Sequence, residues 1–477
     1  MTEQLWRWSA EQTARAVRSG LVSSVEVVSA SLARLEETND VTAAFVAVAE
    51  DALDRAKEAD AAVARGEVLG ALHGVPIATK MNTDVEGLAT PDGVAAYLGN
   101  IASETAPPVA NLLAEGAVSI GRTNSPPFSL RWTTESAHFG TTRNPWDLSV
   151  TPGGSSGGAA VAVATGVVSI AQGNDIGGSI RYPAANCGVV GIRPTMGRVP
   201  LWHSPPGHGM SFAMQMMFVE GPLARTISDL RIALRAMEAT DYRDPLAVPG
   251  PRRSGTDRGV PRVAMVIDAG DHAFASRSTP EVDNAVRQAG TWLRDAGYQV
   301  DEIEVPLLGE AAMLWWKLGM TEFKVSGLGA EIRRVGEPGI RRFFDLMEEA
   351  AKAAFGDVTF ADYFAALSQR SLVRRRLSEF MNDYSILLLP NSGRAPFTLG
   401  EDIESVDRTH SLMAHQWPNM AVPLLGLPGL GMGVVREDGA PLGIQLVGRS
   451  FDEDSIFRAG EVIEMRSAIS TPTDPVR

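Results

Sequence analysis

The segment Val167-Val-Ser-Ile-Ala-Gln-Gly-Asn-Asp-Ile-Gly-Gly-Ser-Ile-Arg181 decides the fold, because an apolar run, Val167 to Ala171, breaks into a glycine-rich turn that carries Ser179. An apolar run closed in this way reads as a buried strand, and the ends of buried strands are where α/β enzymes place their chemistry. A turn of this kind can aim successive N–H groups at one point, as stabilising an oxyanion during acyl transfer requires. A purely structural turn explains this segment equally well when it is taken alone. Just upstream, Thr151-Pro-Gly-Gly-Ser-Ser-Gly-Gly-Ala159 sets six Gly/Ser residues before an Ala/Val helix over residues 159 to 165. Such freedom serves close backbone approach. A linker has the same composition, but the helix that follows at once argues against one.

Helix signals fill the first 66 residues. Ser9 with Gln12 and Ser23 with Glu26 have capping-box spacing, Val28, Leu32 and Leu35 form one apolar face, and Gly20 and Gly66 stand where helices stop. From Leu72 to about Thr226 short apolar runs alternate with Gly, Pro, Ser and Thr, the texture of a sheet with long functional loops. The stretch Val248 to Arg262 reads as an exposed connection. Beyond it, Val263 to Ile267 reads as a strand, Thr279-Pro280 as a helix start, and Ile386 to Leu389 as a buried strand closed by Pro390. Strands alternating with helices imply an α/β fold.

The 477 residues carry 43 Lys and Arg against 57 Asp and Glu, a net charge of −14, so a phosphate-tracking surface for nucleic acid is not expected and a small neutral or cationic substrate is. The single cysteine, Cys187, provides neither a disulfide framework nor a metal site, and it fits packing better than catalysis. The N-terminal MTEQLWRWSAEQ lacks the features of a signal peptide, and no stretch approaches the roughly 20 apolar residues of a membrane span. A cytoplasmic enzyme without metal or cofactor is the expectation.

A serine hydroxyl is a weak nucleophile and needs a base within hydrogen-bond reach. The seven histidines (73, 138, 203, 208, 272, 410 and 415) fall in no catalytic context. Lys80 closes the apolar stretch Gly74-Val-Pro-Ile-Ala-Thr-Lys80, which would carry it into the interior, where desolvation depresses an amine's pKa. Most lysines are simply solvated, so this signal is weak by itself.

Together these segments resemble the amidase signature family. Ser155 lies 75 residues after Lys80, and Ser179 lies 24 after Ser155, as in that family. The resemblance also runs through Gly121-Arg-Thr-Asn124, Thr142-Arg-Asn-Pro-Trp-Asp147, Gly188-Val-Val-Gly191, Glu220-Gly-Pro-Leu-Ala-Arg-Thr226 and Pro441-Leu-Gly-Ile-Gln-Leu-Val-Gly448. It implies an α/β fold with a single large domain, a central mixed sheet wrapped by helices. Residues 1–66 would be helices packed on the core or on a second subunit, and 67–477 the signature domain. Within it 71–226 is the signature core and 250–380 a divergent substrate-side region. It further implies that Ser179 is the nucleophile, and that Ser155, after a cis peptide from Gly154, relays a proton to neutral Lys80. The N–H groups of Ile176, Gly177, Gly178 and Ser179 would form the oxyanion hole.

Two departures stand beside this site: Lys80-Met81-Asn82 where Lys-Asp-Asn is common, and Asn174 where Thr is common. They bear on substrate choice. Met210 and Phe212, in the methionine-rich stretch Leu201 to Phe218, and Trp316 in the divergent region could line a pocket for an apolar or aryl amide, carbamate or anilide; core packing explains them equally. Asp175 and Arg181 are assigned to loop structure. Three rivals remain: a nucleophile elbow at Gly153-Gly-Ser155-Ser-Gly157, for which the preceding residues lack a buried strand; a transamidase subunit supplying ammonia to a partner acting on aminoacyl-tRNA; and a non-catalytic scaffold, against which the three intact positions speak.

Overall fold

Helices begin where the capping residues stand. Ser9 and Ser23 each accept a hydrogen bond from the N–H three residues on, and the side chains of Gln12 and Glu26 accept the serine N–H in turn, so both expected capping boxes form. The computed structural model describes residues 4–202, 210–249, 260–270, 272–435 and 439–476. Within these residues the strands are β1 (Phe45–Val48), β2 (Pro76–Lys80), β3 (Val118–Thr123), β4 (Glu135–Ser136), β5 (Gly140–Thr141), β6 (Ile170–Asp175), β7 (Val190–Arg193), β8 (Val219–Ala224), β9 (Arg262–Met265), β10 (Gln299–Glu302), β11 (Ile386–Pro390), β12 (Gly429–Val435) and β13 (Pro441–Gly448).

β4 and β5 make a small separate ribbon, and the other eleven form one sheet in the order β1-β3-β2-β6-β8-β7-β12-β13-β11-β9-β10. The sheet is mixed: β3, β2 and β6 run parallel, as do β11, β9 and β10, while the strands between them pair antiparallel. The fold is thus a single α/β domain with helices on both faces of a large sheet. Central strands covered on both faces lose the polar alternation of half-exposed ones. Leu387, Leu388 and Leu389 in β11 are each fully buried, which contributes roughly 1.5–3 kcal/mol per side chain.

The Ala/Val helix, Gly157–Ala164, is buried at every position and packs on β2, β6 and β8. The first 66 residues hold helices as expected, but they also supply the edge strand β1, which pairs with β3. Four helices, Leu307–Val325, Leu328–Val335, Pro338–Phe355 and Phe360–Phe380, fill much of the 250–380 region. Their inner faces join an aromatic core that includes Trp132, Phe274, Trp316 and Phe343. The exposed connection expected from Val248 to Arg262 lies largely outside the described residues. Among the described residues no helix is long and apolar enough to cross a membrane.

Candidate active site

β2 and β6 are parallel neighbours, so their carboxyl ends meet at one edge of the sheet. Lys80 is the last residue of β2, and its side chain is fully buried. Its Nζ lies 2.7 Å from Ser155 Oγ and 2.8 Å from Asn174 Oδ1. Burial depresses the ammonium to about 7, against the opposing pull of the Asp92, Glu220 and Asp175 carboxylates. An amine so poised exchanges a proton readily near neutral pH.

Ser155 follows a cis peptide bond from Gly154, in the loop before the buried helix. A side chain at Gly154 would put its Cβ 2.6 Å from the Arg131 carbonyl oxygen and 2.8 Å from that of Thr133. Close backbone approach is what the glycine there permits. The Ser156 N–H donates to the Ser179 carbonyl at 3.2 Å and ties this loop to the turn after β6.

That turn is held plane by plane. The Asp175 carboxylate accepts the Gly178 N–H at 3.0 Å, the Ile180 N–H at 3.3 Å, and both Nε and Nη2 of Arg181 at 3.0 Å. Burial disfavours this carboxylate, yet the Arg181 and Arg193 guanidiniums outweigh that and hold it down to about 2. Arg193 Nη1 donates to the Asp175 carbonyl at 2.6 Å, Trp315 Nε1 to Ile176 at 2.8 Å, Trp132 Nε1 to Gly177 at 3.0 Å, and the Tyr182 N–H to Gly178 at 2.8 Å. In a trans peptide the C=O and the following N–H point opposite ways. Each anchored carbonyl therefore turns the next N–H to the other side. Of the four expected oxyanion donors, the Gly178 N–H donates to the Asp175 carboxylate. The N–H groups of Ile176, Gly177 and Ser179 have no partner among the described residues. Gly178 has φ 92°, and a Cβ there would meet the Asn419 side chain at 2.3 Å. The Ser179 side chain is 7% exposed, and its hydroxyl makes no hydrogen bond among the described residues.

A polar network extends from Lys80. Asn174 Nδ2 donates to Asn82 Oδ1 at 2.9 Å, Asn82 Nδ2 to Ser129 Oγ at 2.9 Å, and Ser129 Oγ to Asp92 Oδ1 at 2.7 Å. Burial raises Asp92 to about 6. Glu220 faces Asn174 across the β6–β8 pair and accepts from Gln172 Nε2; burial pushes it up to about 7.

The expected pocket residues divide. Asn174 contacts Lys80 directly. Met81 is fully buried beside it. Met210 and Phe212 flank residues 203–209, which lie outside the described residues; Phe212 is half exposed and opens the helix Phe212–Met217. Trp316 is turned into the core, 1% exposed, with ring centroids 5.2 Å from Phe274 and 4.9 Å from Trp315. Its neighbour Trp315 makes the contact with the turn. Asp92, Gln172, Glu220 and Trp132 carry no role in the sequence reading, whereas Trp315 stands in Leu314-Trp-Trp-Lys-Leu318, a segment expected to line the pocket or bury a helix. The one available signal was polar residues at alternate positions of a buried strand, Gln172 and Asn174. Cys187 is buried, with its thiol on the Pro152 carbonyl at 3.5 Å, and burial pushes that thiol well up. No group of three His, Cys, Asp or Glu residues among the described residues is placed to hold a metal ion.

The family described as Amidase matches residues 26–457. An indoleacetamide hydrolase of Bradyrhizobium diazoefficiens is 37% identical over 470 residues, covering 98% of this chain and 87% of that one. A glutamyl-tRNA(Gln) amidotransferase subunit of Anaeromyxobacter dehalogenans is 32% identical, with 99% of both chains covered. The structure of 6-aminohexanoate cyclic dimer hydrolase superposes with a TM-score of 0.82 at 25% identity, covering 99% of each chain. The matched segment contains every residue of the site just described, and the chain belongs to the amidase family, as an amide hydrolase of carbon–nitrogen bonds.

Proposed function

We propose that the protein hydrolyses a small, apolar or aryl amide through an acyl-enzyme on Ser179. The observation that carries this is the buried amine of Lys80 at 2.7 Å from Ser155 Oγ, with Ser155 in the loop bonded to the Ser179 backbone. Ser179 Oγ attacks the carbonyl carbon, its proton passes to Ser155, and the Ser155 proton passes to neutral Lys80. The tetrahedral oxyanion is met by the free N–H groups of the turn. Collapse breaks the C–N bond, the relay runs backwards to protonate the leaving nitrogen, and the amine departs. Water then attacks the ester by the same relay and releases the acid. The indoleacetamide hydrolase relative supports an aryl-bearing acyl group.

The test is intact mass after a fluorophosphonate probe. One adduct on the wild type and none on Ser179→Ala supports the reading, and an adduct retained by Ser179→Ala sinks it. A panel of amides, anilides and carbamates then ranks substrates. The amidotransferase relative favours a second reading, a transamidase subunit supplying ammonia to a partner acting on aminoacyl-tRNA. Steady turnover of aryl amides by the purified chain alone would exclude it.

A further inference from the structure

We infer that Trp315 is a positioning residue for the oxyanion hole, acting through the peptide plane between Ile176 and Gly177. The Trp315 indole N–H holds the Ile176 carbonyl at 2.8 Å, and the N–H on the opposite side of that plane, Gly177, is unpartnered among the described residues. The next plane is anchored at both ends, by Trp132 on the Gly177 carbonyl at 3.0 Å and by Asp175 on the Gly178 N–H at 3.0 Å. It serves as a fixed floor, while the plane before it presents its donor. Packing alone does not explain this pairing. The nearby indole nitrogens of Trp316 and Trp417 are buried with no partner among the described residues, so this core tolerates unpaired indoles. Trp132 and Trp315 instead direct theirs to two consecutive carbonyls of one turn. A Cβ at position 177 would meet the flexible end of Met420 at 2.9 Å and the Trp315 ring itself at 3.4 Å, so the backbone of this plane lies directly beside the indole that anchors it. Trp315 stands on the helix Leu307–Val325, so the substrate-side region and the oxyanion donors form one mechanical unit.

The inference rests on the reading that the carbonyl carbon is attacked by Ser179. Its test replaces Trp315 with phenylalanine, and separately with the benzothiophene analogue of tryptophan, which keeps the ring shape but lacks the N–H. Full loss of an oxyanion donor costs about 10²-fold or more, so loosening one should lower kcat by about tenfold in both variants, with KM changed by less than about twofold. Affinity for a trifluoromethyl ketone, which forms a tetrahedral adduct, should fall by the same factor as kcat/KM. An unchanged kcat in the analogue, or a loss confined to KM, overturns the inference while fluorophosphonate labelling of Ser179 persists. Loss of that labelling from the wild type would instead overturn the function and the inference together.

Discussion

Lys80 and Asn174 face each other from the adjacent strands β2 and β6, with Nζ donating to Oδ1 at 2.8 Å, so the amine is bound on one side by an amide that cannot take its proton. Ser155, on its other side, can exchange one. Of these two partners, only the hydroxyl can pass a proton on.

The amine must be neutral to accept a proton, and burial sets it at about 7. Below that value the ammonium form dominates and turnover is lost. The kcat/KM profile should therefore rise through about pH 7 to an alkaline plateau. Lys80→Arg, which stays charged, should lose on the order of 10³-fold in kcat at about pH 8. A profile that falls above neutrality would remove Lys80 from the role of base.

Glu220, on β8 and separated from β2 by β6, pulls the Lys80 ammonium upward. Glu220→Gln keeps an acceptor for Gln172 but removes the negative charge, so the acidic limb of the profile should move to lower pH. At a mildly acidic pH the variant's fraction of plateau activity should exceed that of the wild type. A shift to higher pH contradicts the electrostatic account.

Ser155 and Ser179 differ in what their loss leaves behind. Ser179→Ala should abolish fluorophosphonate labelling, whereas Ser155→Ala should label at a rate reduced by about 10²-fold or more, since the nucleophile survives without its relay. Equal loss of the covalent adduct in both variants would show that the relay also builds the nucleophile's geometry.

Gly154→Ala would drive a Cβ to 2.6 Å from the Arg131 carbonyl. Overpacking against backbone should cost about 1–3 kcal/mol, read as a lowered Tm in thermal unfolding. A melt matching the wild type would mean that the loop yields without cost.

Much of this was legible in the chain. β11 announces itself as an apolar run stopped by Pro390, and the Gly/Ser loop announces its close contacts, because both signals are local. That Lys80, Ser155 and Ser179 belong to one site was implied by the resemblance to the amidase signature family, and their separation in the chain conceals which atoms touch. β1 escaped notice because it is a short edge strand with a single buried residue, set between two helices. The Trp315-Trp316 pair drew attention as a pocket or core segment, but the bond of Trp315 to the turn did not show, since its partner lies 139 positions away and is backbone, which has no sequence signature. The commitment of the Gly178 N–H to Asp175 was equally hidden, being a matter of direction rather than composition.

The seclusion of Cys187 has a practical corollary. With its sulfur inside and its proton held tightly, the native chain offers maleimide dyes no ready target, so one cysteine engineered on the surface becomes a unique attachment point. A fluorophore could be placed in this way beside the exposed Phe212.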